Sequence, residues 1–215
     1  MTDKLIGTIG LLTTIIFGVG FVGLFIIHPP TYLEINNIGM TFFNLNGMKG
    51  ETWIEINYIL VGLLNILFSI GLFKISDNKS VLLVGKIMLL TTGIIWITFG
   101  LIDYKTDTDF EKHIMATRAI VTLGTAMLSL LMLGGEFEKM VKDKFLKYYT
   151  IVSGALILLL SILSLSVFMF SDSWIRANIS WTIYFLWFGV FGIRFLQKKP
   201  APNIVFMPAA GDVLK

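Results

Sequence analysis

From Leu5 to Ile27 the chain runs for 23 residues without a charged side chain, and five further apolar stretches follow it, Ile56–Phe73, Val81–Ile102, Ile114–Gly134, Tyr148–Phe170 and Ala177–Gln197. A helix of about 20 apolar residues crosses a hydrocarbon core about 30 Å thick. Hydrocarbon offers no water to backbone amides, so each crossing segment must satisfy its own hydrogen bonds. Six such stretches therefore predict an all-α fold, a polytopic membrane bundle of six transmembrane helices. The second stretch is the shortest at 18 residues and gains a turn if it begins at Trp53 and Ile54. Polar turns at Lys74–Ser80, Asp103–His113, Gly135–Lys147 and Ser171–Arg176 separate the spans, and Pro29–Glu55 forms one longer loop. Short connections make successive helices antiparallel neighbours. The first stretch exceeds the apolar core of a secretory leader, about 7–15 residues, and His28-Pro29-Pro30 follows it instead of a small-residue cleavage site. It is read as a retained span.

Charge gives the bundle a direction. Twelve basic residues fall on one side: Lys4, Lys74, Lys79, Lys86, Lys139, Lys142, Lys144, Lys147, Arg194, Lys198, Lys199 and Lys215. Five fall on the other, Lys49, Lys105, Lys112, Arg118 and Arg176. Cytoplasmic ends keep the excess of Lys and Arg, so both termini are expected in the cytoplasm and the first and third loops outside. That places the protein in the inner (cytoplasmic) membrane as a multi-pass protein. Lys86, Arg118 and Arg194 lie inside nominal spans near an interface and are expected to snorkel towards it. Residues 1–199 form the transmembrane domain; residues 200–215, with Pro200, Pro202 and Pro208 and no periodicity, form a flexible cytoplasmic tail.

The 215 residues are 55% hydrophobic and 14% charged, and the mean hydropathy is +0.81, well above that of water-soluble domains. The net charge of +3 resides mainly at helix ends rather than on one face, so a nucleic-acid partner is not expected. Absence of cysteine removes disulfides, thiolate metal sites and a cysteine nucleophile together. No cofactor is expected.

Several features bear on chemistry. Gly18, Gly20 and Gly23 spell G-x-G-x-x-G, but inside an uninterrupted span there is neither a preceding strand nor a free helix N-terminus to hold a pyrophosphate. With Gly7 and Gly10 they read as a surface for close helix approach, as do Thr122, Ala126 and Ser129 in the fourth span and Ser153, Ser161 and Ser164 in the fifth. Asn65 is expected to hydrogen-bond across the bundle. Trp53, Trp96, Trp174 and Trp181 fall near outer span ends and read as an aromatic belt.

The third loop collects Asp103, Asp107, Asp109, Glu111 and His113 within eleven residues. Asp107, Asp109 and Glu111 are candidate oxygen ligands for a hard cation, although no Gly marks the sharp turn of an EF-hand and no Glu closes its frame. The alternative is a solvated charged turn. Asp103 beside His113 would suffice for general-base work on a lipid headgroup, with Glu111 and His28 as further candidates. His28, His113 and a carboxylate are also enough in kind for three zinc ligands, but they lie in distant segments whose spacing does not require it. The loop Pro29–Glu55 mixes Ile35, Ile38, Met40, Phe42, Phe43, Leu45 and Met48 with polar residues, as an interfacial helix or a lid would, and Asn46-Gly47 marks a turn within it.

Ile38-Gly39 after the first span, Gly62-Leu63-Leu64 in the second, and Gly100-Leu101-Ile102 closing the third before His113 resemble elements of a bacterial six-span membrane family, domain of unknown function 998. The similarity extends over residues 5–197 in layout. Asn36-Asn37 stand where that family commonly has Ser and an acidic residue, and Ile102-Asp103 replaces its usual Phe-Pro. The resemblance implies fold and location and carries no activity with it.

No carboxylate lies deep in any span, where proton- or ion-coupled transporters keep one. The leading reading is a non-enzymatic accessory subunit or a binder of lipid or hydrophobic solute, with membrane lipids and a second membrane protein as partners. An interfacial lipid hydrolase built on the His113 cluster is the alternative. A small transporter, needing a polar path past Asn65, Thr91 and Thr92, is the third.

Overall fold

A segment that enters hydrocarbon stays helical until its amides reach water, and the helices here outrun their apolar cores. The computed structural model describes residues 2–27, 51–75, 80–102, 109–141, 143–166 and 173–197. Among these are six helices: α1 (Asp3–Ile27), α2 (Glu51–Ile75), α3 (Ser80–Leu101), α4 (Asp109–Val141), α5 (Lys144–Ser166) and α6 (Ser173–Gln197). All six are long and apolar enough to cross a membrane, which makes this a multi-pass membrane protein. Helix α2 does take in Trp53 and Ile54. Helix α4 differs most from expectation, because its 33 residues absorb the last part of the third loop and most of the next turn. Two ends are capped in the same way. Leu146 N donates to Asp143 Oδ1 at 3.2 Å at the start of α5, and Leu5 N to Thr2 Oγ1 at 3.3 Å at the start of α1.

Each helix lies against the next in sequence, and α6 returns against α1 to close a ring. Antiparallel pairing shows in the contacts: Gly20 and Gly23 of α1 approach Asn57 and Trp53 of α2, in reverse order. Both termini of the helical domain therefore lie at one end. Glycine permits the closest approaches. A Cβ at Gly7 would stand 2.9 Å from Gly192 O across the α1–α6 seam, and one at Gly62 would stand 2.6 Å from Gly93 O across α2–α3. Of the G-x-G-x-x-G glycines, two serve close approach, whereas Gly18 meets nothing within 4 Å.

The helices are apolar all round, yet inside and outside differ in residue type. Inward positions of α2 are Ile54, Tyr58, Val61, Asn65, Phe68 and Leu72, and those of α6 include Trp181, Tyr184, Phe188, Phe191 and Phe195. Steps of three and four alternate along both, the 3.5-residue period of knobs-into-holes packing. Outward positions of α2 follow the same period with Ile56, Leu60, Leu63, Leu67 and Ile70. Aromatic, hydroxyl and glycine residues thus join branched aliphatics in the interior, while these outward positions of α2 are branched aliphatics alone, which meet lipid tails as apolar as they are. Thr122, Ala126, Ser129 and Ser153 are buried, as their spacing suggested.

Candidate functional site

The centre of the bundle is a hydrogen-bonded chain of neutral side chains. Asn65 Nδ2 of α2 donates to the Tyr184 hydroxyl of α6 at 2.9 Å, so Asn65 does bond across the bundle. Thr92 of α3 lies beside the same hydroxyl. Thr92 Oγ1 has one proton for two acceptors at 2.9 Å, Thr125 Oγ1 of α4 and its own Met88 carbonyl. Thr125 Oγ1 then donates to Thr122 O. Four helices are tied at mid-span by this chain. Asn65 Oδ1 is buried and has no hydrogen-bond partner among the described residues.

Aromatic layers enclose the chain on both sides. Towards the end where α1 finishes and α2 begins, Trp96 meets Trp181 at 4.9 Å, Phe185 at 5.1 Å and Tyr58 at 5.2 Å between centroids, and Phe17 stacks on Phe185 at 4.1 Å. Towards the other end, Phe68 meets Phe188 at 4.9 Å and Phe191 at 5.1 Å, and Phe137 meets Phe191 at 5.2 Å. Edge-to-face contacts dominate, as ring quadrupoles favour. Helix α6 supplies four of these nine rings, more than any other helix. The polar chain therefore runs across the bundle rather than along it. Thr91 does not join it; its hydroxyl donates to Ile87 O on its own helix.

Trp96 and Trp181, expected in an interfacial belt, are instead core residues at 1% and 3% exposure. Their position along the span is interfacial, but their position around the helix is inward, and hydropathy carries no information about the second. Trp53, half exposed at the start of α2, does fit a belt, and Phe145 and Tyr148 do so at the opposite end. The side chain of Trp174 lies outside the described residues.

Lys86 also departs from expectation. It is fully buried, with Nζ 5.1 Å from the centroid of the Phe73 ring, while its carbonyl accepts from Ser69 Oγ at 2.9 Å. It does not snorkel. Arg118 is half buried: Nη2 donates to Thr98 Oγ1 at 2.8 Å and the guanidinium lies 4.3 Å from the Phe99 ring centroid. Arg194 does reach the interface, with Nε 3.3 Å from Asp143 Oδ2 and its side chain 40% exposed.

Of the outer-side candidates, Asp109, Glu111 and His113 fall in the first two turns of α4, so the end of the third loop is helical. Carboxylates there complement the helix macrodipole. Their side chains, together with Asp103, Asp107 and His28, lie outside the described residues. Among the described residues no group of three His, Asp or Glu is placed to hold a metal.

The hydrogen-bonded chain is legible in the sequence only at Asn65, since a Tyr or Thr inside an apolar span carries no mark of its partner. Its function as structural tether is testable. Tyr184→Phe should cost about 1 kcal/mol of stability in detergent, the order found for hydrogen bonds between membrane helices. A double-mutant cycle with Asn65→Leu should recover coupling of the same order; additive effects would show that the bond contributes nothing.

The fold and its interior define a six-helix membrane bundle whose described core is rich in aromatic and hydroxyl side chains. Compared with known proteins, the chain matches no family model, no curated protein and no solved structure.

Proposed function

We propose that this is a non-enzymatic protein of the inner (cytoplasmic) membrane that acts through its surfaces, as an accessory subunit of another membrane protein or as a binder of lipid or hydrophobic solute. The observation that carries this reading is the enclosure of the mid-span polar residues between two aromatic layers. Solute transport needs a continuous polar path along the bundle axis, and the mid-span bonds of Asn65 to Tyr184 and of Thr92 to Thr125 run from helix to helix instead. The twelve-to-five division of Lys and Arg supports a cytoplasmic location for both termini. The layout also resembles that of domain of unknown function 998, a resemblance that would carry the same fold and location.

Reconstitution into phosphatidylglycerol and phosphatidylethanolamine vesicles tests the reading. Vesicles holding the protein should leak protons and potassium no faster than empty ones and release no fatty acid, with His113→Ala indistinguishable from the parent. Fatty-acid release abolished by His113→Ala in a protein that still folds would replace this reading with the hydrolase. Protein-dependent flux abolished by Asn65→Leu would replace it with the transporter.

A further inference from the structure

The end of the bundle where α1 begins and α6 finishes carries a cluster that the core does not use. Arg194, in the last turn of α6, holds Asp143 through Nε and lays its guanidinium 4.6 Å from the Phe145 ring centroid at the start of α5. Asp143 also caps α5, so the pair fixes both the arginine and the helix end. An arginine held by one edge and one face still has its remaining N–H donors to offer, and its side chain stays 40% exposed. Lys144, between Asp143 and Phe145 in sequence, is exposed, as is Lys4 at the start of α1, the helix that packs along α6. Phe145 and Tyr148, 51% and 61% exposed, turn towards the lipid side at the same level, and the outward face of α5 continues below them as Val152, Leu156 and Leu159.

We infer that this corner between α5 and α6 is a binding site for an acidic glycerophospholipid, with its phosphate at Arg194 and Lys144 and its acyl chains along the outward face of α5. Charge selects the occupant. Lys4, Lys144, Lys147 and Arg194 stand against the carboxylates of Asp3 and Asp143, and Lys198 and Lys199 follow in sequence. A planar guanidinium pre-set by stacking suits the two oxygens of a phosphodiester, whereas a zwitterionic headgroup would bring its own ammonium towards the same cations. The aromatic pair sits where amphipathic rings favour the headgroup level. The inference deepens the lipid-binding side of the proposed function. It does not depend on which way the bundle faces, because detergent micelles have no sides.

Native mass spectrometry of the full chain in a mild detergent, titrated with dioleoyl phosphatidylglycerol, dioleoyl phosphatidylcholine or inorganic phosphate, tests it. Phosphatidylglycerol should be retained in preference to phosphatidylcholine, and inorganic phosphate should not compete at equal concentration. Each cation near a membrane surface contributes about five-fold in binding. Lys144→Gln, at an exposed position, should therefore weaken retention by about that factor, and Arg194→Gln by more. Arg194→Lys, which keeps the charge and loses the stacked fork, should fall between parent and Arg194→Gln. Lys74→Gln is the control, since Lys74 is an exposed cation on α2, away from α5 in the ring. If Lys74→Gln weakens retention as much as Lys144→Gln, the attraction is diffuse and the site is overturned; equal retention of phosphatidylcholine overturns it as well. Lipid hydrolysis or ion flux in the vesicle assays would displace the proposed function while leaving this site standing.

Discussion

Trp96→Ala should lower the stability of the bundle by about 3 kcal/mol, the cavity part of the cost of deleting a large buried ring at about 24 cal/mol per Å³. The loss has a different origin from that in a water-soluble core. Lipid tails solvate an indole well, so little hydrophobic transfer energy is forfeited, and the cost comes from contacts that no tail can enter the cavity to replace. Trp96 lies within aromatic contact distance of five rings, Phe17, Tyr58, Phe99, Trp181 and Phe185, on four helices. Removing it therefore loosens α1, α2, α3 and α6 at once. Unfolding by dodecyl sulfate titration in mixed micelles measures the change, with Ile94→Ala as control because Ile94 is 46% exposed on the outside of the same helix. A loss no larger than the control's would mean that the ring cluster does not hold the bundle.

The second large effect is expected at the seam that closes the ring. A Cβ at Gly192 would stand 2.5 Å from Gly7 O and 2.7 Å from Leu11 N, both backbone atoms that cannot move without their helix. Gly192→Val must therefore push α1 away from α6, at a cost of about 1–3 kcal/mol or more for overpacking. It also strains the bond that Thr14 makes to Phe185 O one contact further along. Gly18→Val, into open space, should be neutral or slightly stabilising through helix propensity. Thermal midpoints of the two variants in one detergent compare them directly. Equal midpoints would show that α1 and α6 are not in close contact.

The number of spans was legible because it rests on length and apolarity alone, which a bilayer imposes on any sequence. Span ends were less so. Residues 109–113 and 135–141 of α4 are polar and were read as loop, yet a helix does not stop where hydrocarbon does, and its amides keep bonding within the helix into the headgroup layer. The facing of each helix was least legible. With apolar residues on every side, the inward stripe of α3, Leu82, Gly85, Leu89, Thr92, Trp96 and Phe99, does not differ from the outward one in hydropathy, only in size and hydrogen-bonding capacity. That is why Trp96 and Trp181 were placed in a belt and Lys86 at an interface. Asn65 was placed correctly because an amide in hydrocarbon has few alternatives to a partner on another helix.

The closed ring sets an order on biosynthesis. Helix α6 is the last of the six to emerge from the ribosome, yet it brings Tyr184, Phe185, Trp187, Phe188, Phe191 and Phe195, all buried in the finished bundle. Until it arrives, five inserted helices lack these side chains, and Asn65 Nδ2 lacks the Tyr184 hydroxyl to which it donates. The contacts open to the protein at that stage are seams such as Gly62 against Gly93 and the rings of Phe17, Tyr58 and Trp96. The final span thus acts as the keystone of the assembly, and a ribosome that stops short of it releases a ring with no centre.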